Sequence, residues 1–319
     1  MDYLKKNAKF VDRHVTKWSA IIKDWQAGCE ITGAALIGAP LSKSSISHSG
    51  ASFAPTTIRA MLDGYSTYAT TEEYDMKNLI ICDCGDIVMH VTDIKESHHR
   101  IEKTVAHLTK TNPRMIPIIL GGDHSISFPS IAGFAASYGK VGIIQFDAHH
   151  DLRNLDDGGP SNGTPFRSLI ENGVIDGSQL VQIGIRNFSN AHAYHEYALA
   201  HGVTIYTMKD VREKEITEII SESVSLLKAQ GVSAIYISLD MDVLDQAYAP
   251  GCPAIGPGGM DSWSLLDAIT YLGQEELVAG MDIVEIDPTL DFREMTSRMA
   301  ARVIMDFLLA NTNRLLKSG

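Results

Sequence analysis

The sequence predicts an α/β protein in which a parallel sheet is covered by helices on both sides. Two observations carry this expectation. Short apolar runs rich in β-branched residues recur along the chain, and segments of helical periodicity lie between them. Strands that alternate with helices pair in parallel, and a parallel sheet is buried on both faces. A barrel of eight strands is the rival architecture, and strand count alone does not exclude it.

The runs cover residues 34–37, 79–82, 115–120, 141–146, 180–185, 203–206, 234–239 and 277–283, each ending near Gly, Asp or His. Most are too short for free-standing helices, so they read as strands. Helical segments include 96–108, 213–230 and 298–309; in the second, Ile216, Ile219, Ile220, Val224 and Leu227 share one face. The first 30 residues read as an appended arm or helix, and residues 31–319 as one domain with no internal repeat.

Composition narrows the function classes. Hydrophobic residues make up 45% of the 319, enough for a large core, and charged residues 21%, which argues against disorder. A formal net charge of -12 repels phosphate backbones, so nucleic acid is not an expected partner. Cys82 and Cys84 form C-x-C with no second pair, and Cys29 and Cys252 stand apart; this supports reduced thiols, not a zinc cluster or a disulfide framework. The N-terminal residues contain no apolar signal core, and no run approaches the roughly 20 residues of a membrane span. The expectation is a cytoplasmic protein acting on a small molecule, without membrane contact.

Three strand ends carry ligand-type side chains. They are Gly121-Gly122-Asp123-His124-Ser125, Asp147-Ala148-His149-His150-Asp151 and Ser238-Leu239-Asp240-Met241-Asp242. On an extended chain alternate residues point the same way, so D-x-H-x-D brings together Asp147, His149 and Asp151, and D-x-D brings together Asp240 and Asp242. With His124, this gathers carboxylates and imidazoles into one pocket. Ionised carboxylates so close repel each other unless cations neutralise them. Two divalent ions supply four positive charges, and the oxygen-rich set suits manganese or magnesium better than structural zinc. Two ions about 3.5–4 Å apart can share a water and make it a nucleophile near neutral pH.

These three segments resemble the signatures of the ureohydrolase superfamily, which contains arginases, agmatinases and formimidoylglutamases. Asp245 to Gly251, DQAYAPG, is similar to that family's loop after the third signature. Glu285-Ile286-Asp287-Pro288 resembles its E-x-N-P element, with Asp287 in place of Asn. The similarity runs from Leu36 onward.

The resemblance implies a three-layer α/β/α arginase-like fold with an eight-stranded parallel sheet in the order 2-1-3-8-7-4-5-6. It implies two Mn2+ per chain. His124, Asp147, Asp151 and Asp240 would hold one ion, and His149, Asp147, Asp240 and Asp242 the other, with Asp147 and Asp240 bridging. His150 would not be a ligand. A bridging hydroxide would attack an amidine-like carbon, Asp151 would pass a proton to the departing amine, and Glu285 would accept hydrogen bonds from the cationic nitrogens. A homo-oligomer, trimeric or hexameric, is also implied.

Arginases and agmatinases place a His where this chain has Asn162, and an amide cannot act as an acid or base near neutral pH. Asp151-Leu152-Arg153, the stretch from Asn162 to Arg167, Gly184 to Asn190, and ISHSGA at 46–51 resemble instead the formimidoylglutamases of Gram-positive bacteria. Their reaction takes N-formimino-L-glutamate, formed in histidine degradation, to L-glutamate and formamide. A urea-releasing reaction on agmatine or a guanidino acid is the alternative. Arg153 and Arg186 follow strand ends, and two guanidinium forks suit a diacid and repel agmatine's ammonium. Cys252 carries no expected catalytic role, because the motif supplies no base partner.

Overall fold

The computed structural model describes residue 4 and residues 10–312. Its centre is one parallel sheet of nine strands: β1 Ile22–Asp24, β2 Ala34–Ala39, β3 Ile81–Asp86, β4 Ile116–Gly121, β5 Val141–Phe146, β6 Leu180–Ile185, β7 Thr204–Thr207, β8 Ala234–Asp240 and β9 Val278–Val284. The spatial order is β1-β3-β2-β4-β9-β8-β5-β6-β7. Without β1, that is the expected order of eight. The expected count is therefore corrected to nine, and the sheet has two open edges, so it is not a barrel.

The extra strand comes from the N-terminal segment. Ile22, Lys23 and Asp24 pair in parallel with Ile81, Cys82 and Asp83. A four-residue helix, α1 (Trp18–Ile21), leads into it. Residues 1–3 and 5–9 of the expected arm, and 313–319 at the other end, lie outside the described residues.

The six residues of β2, β4, β5 and β6 and the seven of β8 and β9 are all buried. Alternation sorts their side chains into two layers. Leu36, Ile118, Ile144, Phe146, Ile237, Leu239, Met281 and Ile283 join one core. That core is covered by α2 (Ala54–Leu62), α7 (Met208–Glu213), α8 (Ile216–Ala229), α9 (Ser262–Gln274) and α10 (Met295–Ala310). Ala35, Ile37, Ile119, Ile143, Tyr236 and Val284 join the other. It is covered by α3 (Ile94–Thr111), α4 (Ser127–Tyr138), α5 (Pro165–Glu171) and α6 (His192–Ala200).

The helix expected over 213–230 is α8, which begins at Ile216 after extended Lys214 and Glu215; Glu213 is the last residue of α7. Thr207 and Asp210 close a capping box on α7, which fixes its start independently of α8. Among the described residues no helix is long and apolar enough to cross a membrane.

The sheet order decides where chemistry can occur. β4, β9, β8 and β5 are neighbours at its centre, and their carboxyl ends carry His124, Glu285, Asp240 and Asp147. In open α/β sheets, ligands bind at that edge.

Candidate metal centre

Each strand end turns sharply, and the turn aims the side chains. After β4, Gly122 passes so close to Leu41 that an added Cβ would lie 1.8 Å from the Leu41 carbonyl oxygen. Only glycine fits there. Asp123, fully buried, caps the turn His124–Ile126 by accepting from the Ser125 N–H (3.0 Å) and the Ser44 hydroxyl (2.8 Å). The His124 ring then lies edge-on to Phe166, with centroids 5.4 Å apart.

After β5 the chain bends. Asp147 accepts from the His149 N–H (2.6 Å), and Asp151 has φ +50°. After β8, Asp240 accepts from the Asp242 N–H (2.8 Å) and caps the turn Met241–Val243. The carboxylates and imidazoles do converge, but the expected extended D-x-H-x-D and D-x-D segments are corrected to tight turns.

Two clusters result. His124, Asp147, Asp151 and Asp240 each offer one ligand atom, all within 4.8 Å of one another. Asp147, His149 and Asp242 do the same. Asp147 belongs to both, while Asp240 groups with the first only. His124 Nδ1 lies 2.8 Å from Asp151, 3.2 Å from Asp147 and 3.2 Å from Asp240, yet makes no hydrogen bond. An orphaned, fully buried ring nitrogen facing three carboxylate oxygens fits a cation bound between them. His149 Nδ1 is 3.1 Å from Asp242 and 3.3 Å from Asp147.

The electrostatics agree. Burial alone would depress His124, but Asp147, Asp151 and Asp240 push it well above the usual imidazole range. His149 is likewise depressed by burial but raised more by Asp242 and Asp147, to about 12. Burial and the neighbours Asp242 and Asp147 push Asp240 well up. Burial and Asp147 raise Asp151 to about 6. The pocket is a region of strong negative potential that calls for positive charge.

Glu285 follows β9 with φ +60°. Its Oε1 accepts from the His124 N–H (2.7 Å) and the Asn162 amide (3.2 Å), and burial with Asp123 nearby raises it to about 8. Asn162 is spent on structure as well: its Oδ1 accepts from the Ile46 N–H (3.0 Å). Arg153 is exposed, 5.9 Å above the Tyr194 ring, with no ion-pair partner among the described residues. Arg186 is different. It is buried, and its guanidinium donates to the backbone carbonyls of Asp242 and Gly256. Two of its donors steady the Asp242 turn and the loop at Gly256, while its buried Nε makes no hydrogen bond.

His150 points away from both clusters, toward Gln182 (2.6 Å) and His195 (3.1 Å). Asp287 accepts from the Gly50 N–H (2.6 Å) and the Thr289 hydroxyl (2.6 Å), which an Asn could satisfy only in part. Cys252 is buried, and burial with Asp240, Asp242 and Glu285 nearby keeps its thiol protonated. All four thiols are free.

Sequence reasoning missed four supporting residues. Gln145 donates to Asp147 (2.7 Å), and Gln182 donates to Gln145 (2.6 Å). Ser238 lies 3.0 Å from His124 Nε2 and donates to Asp282 (2.9 Å). Their only sequence signal is a single polar residue inside an apolar strand.

Comparison with known proteins places this geometry. A model of the Arginase family matches residues 32–310. Formimidoylglutamase of Halalkalibacterium halodurans is 62% identical over 304 residues, 95% of each chain. Formimidoylglutamase of Bacillus subtilis is 52% identical over 301 residues, 94% of each chain. The crystal structure of the Bacillus subtilis protein aligns with a TM-score of 0.93 at 51% identity, covering 96% of this chain and 95% of that one.

Proposed function

The chain belongs to the arginase family, and from that premise we propose that it hydrolyses N-formimino-L-glutamate to L-glutamate and formamide in the cytoplasm, on two manganese ions. The observation that carries the chemistry is the pair of acid–imidazole clusters sharing Asp147, with Glu285 beside them. Identity to formimidoylglutamases supports the substrate. So do Asn162 in place of a catalytic His and the free guanidinium of Arg153.

His124, Asp147, Asp151 and Asp240 would hold one ion, and His149, Asp147 and Asp242 the other, with Asp240 completing the second set. When bound, two such ions supply Lewis acidity and a water that loses its proton near neutral pH. The oxygen of water joins the formimino carbon. The bond from that carbon to the glutamate nitrogen breaks, and a proton reaches that nitrogen.

Asp151 is the group placed to carry that proton. Glu285 binds the amidinium: its Oε1 already accepts two hydrogen bonds, which leaves Oε2 for the substrate N–H groups. An arriving cation favours the ionised form of Glu285 despite burial. Arg153 takes a substrate carboxylate.

The test is to assay the manganese-loaded protein on N-formimino-L-glutamate, L-arginine and agmatine, measuring formamide and urea separately. Formamide from the first substrate is expected. Faster urea release from either of the others would overturn the reading.

A further inference from the structure

Asp282 is a carboxylate in a place built for an apolar side chain. It lies within β9, fully buried, in register with Ser238 of β8 and Ile119 of β4. Its hydrogen-bonding neighbour is a hydroxyl: the Ser238 O–H donates to Oδ1 at 2.9 Å. Oδ2 has no well-formed hydrogen bond, although the Tyr236 and Ser127 hydroxyls also interact with the carboxylate. A buried acceptor left unsatisfied costs about 1–3 kcal/mol. Val or Ile at this position would avoid that cost, so packing alone does not account for the residue.

The chain of contacts continues upward. Ser238 Oγ lies 3.0 Å from His124 Nε2, and Nδ1 of the same ring meets Asp147, Asp151 and Asp240. A serine hydroxyl has one proton. If Asp282 takes it, Ser238 can only accept from His124, so Nε2 carries the ring proton and Nδ1 presents a lone pair. If Ser238 were free to donate upward, the opposite tautomer would be favoured and Nδ1–H would block ligation. Ser127 offers Ser238 a second acceptor at 3.3 Å, but a hydroxyl can reverse its role and a carboxylate cannot.

We propose that Asp282 is a positioning residue that acts through Ser238 to hold His124 as the Nε2–H tautomer, with Nδ1 open to the first metal position. This rests on the two-metal reading above. Among the described residues no equivalent relay supports His149, so the effect is confined to one position.

The experiment titrates Mn2+ alone into metal-free protein, with calorimetry for affinity and electron paramagnetic resonance for spin coupling between two ions. Wild-type protein is expected to bind two coupled ions. Asp282→Leu and Ser238→Ala are expected to weaken one ion by about 10- to 100-fold and leave the other unchanged, giving the spectrum of an isolated ion. Asp282→Asn, which can still offer a carbonyl oxygen, should fall between, and Ser238→Thr should restore tight binding. If Asp282→Leu does not fold, Ser238→Ala and Ser238→Thr decide. Wild-type affinity in folded Asp282→Leu or Ser238→Ala would overturn the proposal, as would equal weakening of both ions, which marks a general loss of structure. Failure of the wild-type protein to bind Mn2+ would instead overturn the metal reading itself.

Discussion

The two imidazoles that meet the carboxylates are held by different means. His124 is wholly buried, and its far nitrogen is anchored through Ser238 to the interior of the sheet. His149 has 27% of its side chain exposed and is placed by the bend after β5, where its own N–H bonds Asp147. The sheet interior fixes one ring, and a loop facing solvent fixes the other. Orientation by side chains from neighbouring strands leaves no room to adjust. Orientation by a turn leaves the ring on the open side, where a substrate can approach.

The largest effect should come from the residue that ignores this division. Asp147 serves both clusters, so Asp147→Ala should abolish binding of both ions and lower kcat/KM by at least about 10³-fold, the equivalent of about 4 kcal/mol. Retention of two ions by elemental analysis would remove Asp147 from its central role.

Next, metal-free His124→Ala should lose about 3–5 kcal/mol of stability, because three buried carboxylates are left without their cation. His149→Ala should lose less than about half of that, since water reaches the site. Urea midpoints measure both, and equal losses would break the contrast.

Arg153→Ala should leave both ions bound and lower kcat/KM by roughly 10- to 150-fold, through KM more than kcat, the loss of one charge-assisted pair of about 1.5–3 kcal/mol. Lysine should rescue only in part, as it offers no fork. Unchanged kinetics in Arg153→Ala would remove it from the substrate site.

A further effect is spread over a wide range of pH. Asp151 at about 6 and Glu285 at about 8 keep protons in the folded, metal-free chain that an unfolded chain has already released. Stability of the metal-free protein should therefore fall as pH rises from about 4.5 to 8, by at most about 1.4 kcal/mol per unit for each proton. The raised imidazoles act in the same direction above about 6.5. Added Mn2+ displaces these protons, so it should stabilise more at pH 8 than at pH 6. Melting curves that rise with pH without metal would contradict this.

Six strands were legible because buried parallel strands read as apolar runs; β3 and β7, which are partly exposed, were legible only in part, and the run expected at 79–82 meets β3 at Ile81 and Cys82 alone. The ninth was not: Ile-Lys-Asp at 22–24 is short and largely exposed, and only backbone pairing makes it a strand. The ligands were legible as acids and imidazoles at strand ends. The turns that gather them were not, because Asp151 and Glu285 adopt left-handed backbone with no glycine to announce it. The hold of Arg186 on the Asp242 turn was not legible because its acceptors are main-chain carbonyls 56 and 70 positions away, which no side-chain pattern records. Asp282 was overlooked as a single acid in an apolar strand, whose partner becomes visible only once β8 and β9 lie side by side.

The short first strand has a consequence for solubility. β3 would otherwise present a row of open N–H and C=O groups to any passing extended chain. Ile22–Asp24 occupies that row, and the N–H of Trp25 also bonds the Asp83 carbonyl. The strand shows exposed Lys23 and Asp24 to the outside. Three residues are too few to template a partner, and charges on an outermost strand discourage one. Removing residues 1–30 would leave the metal cluster intact in its distant loops while uncovering a sticky border. The damage should appear as self-association in light scattering at working concentrations, well before any loss of turnover.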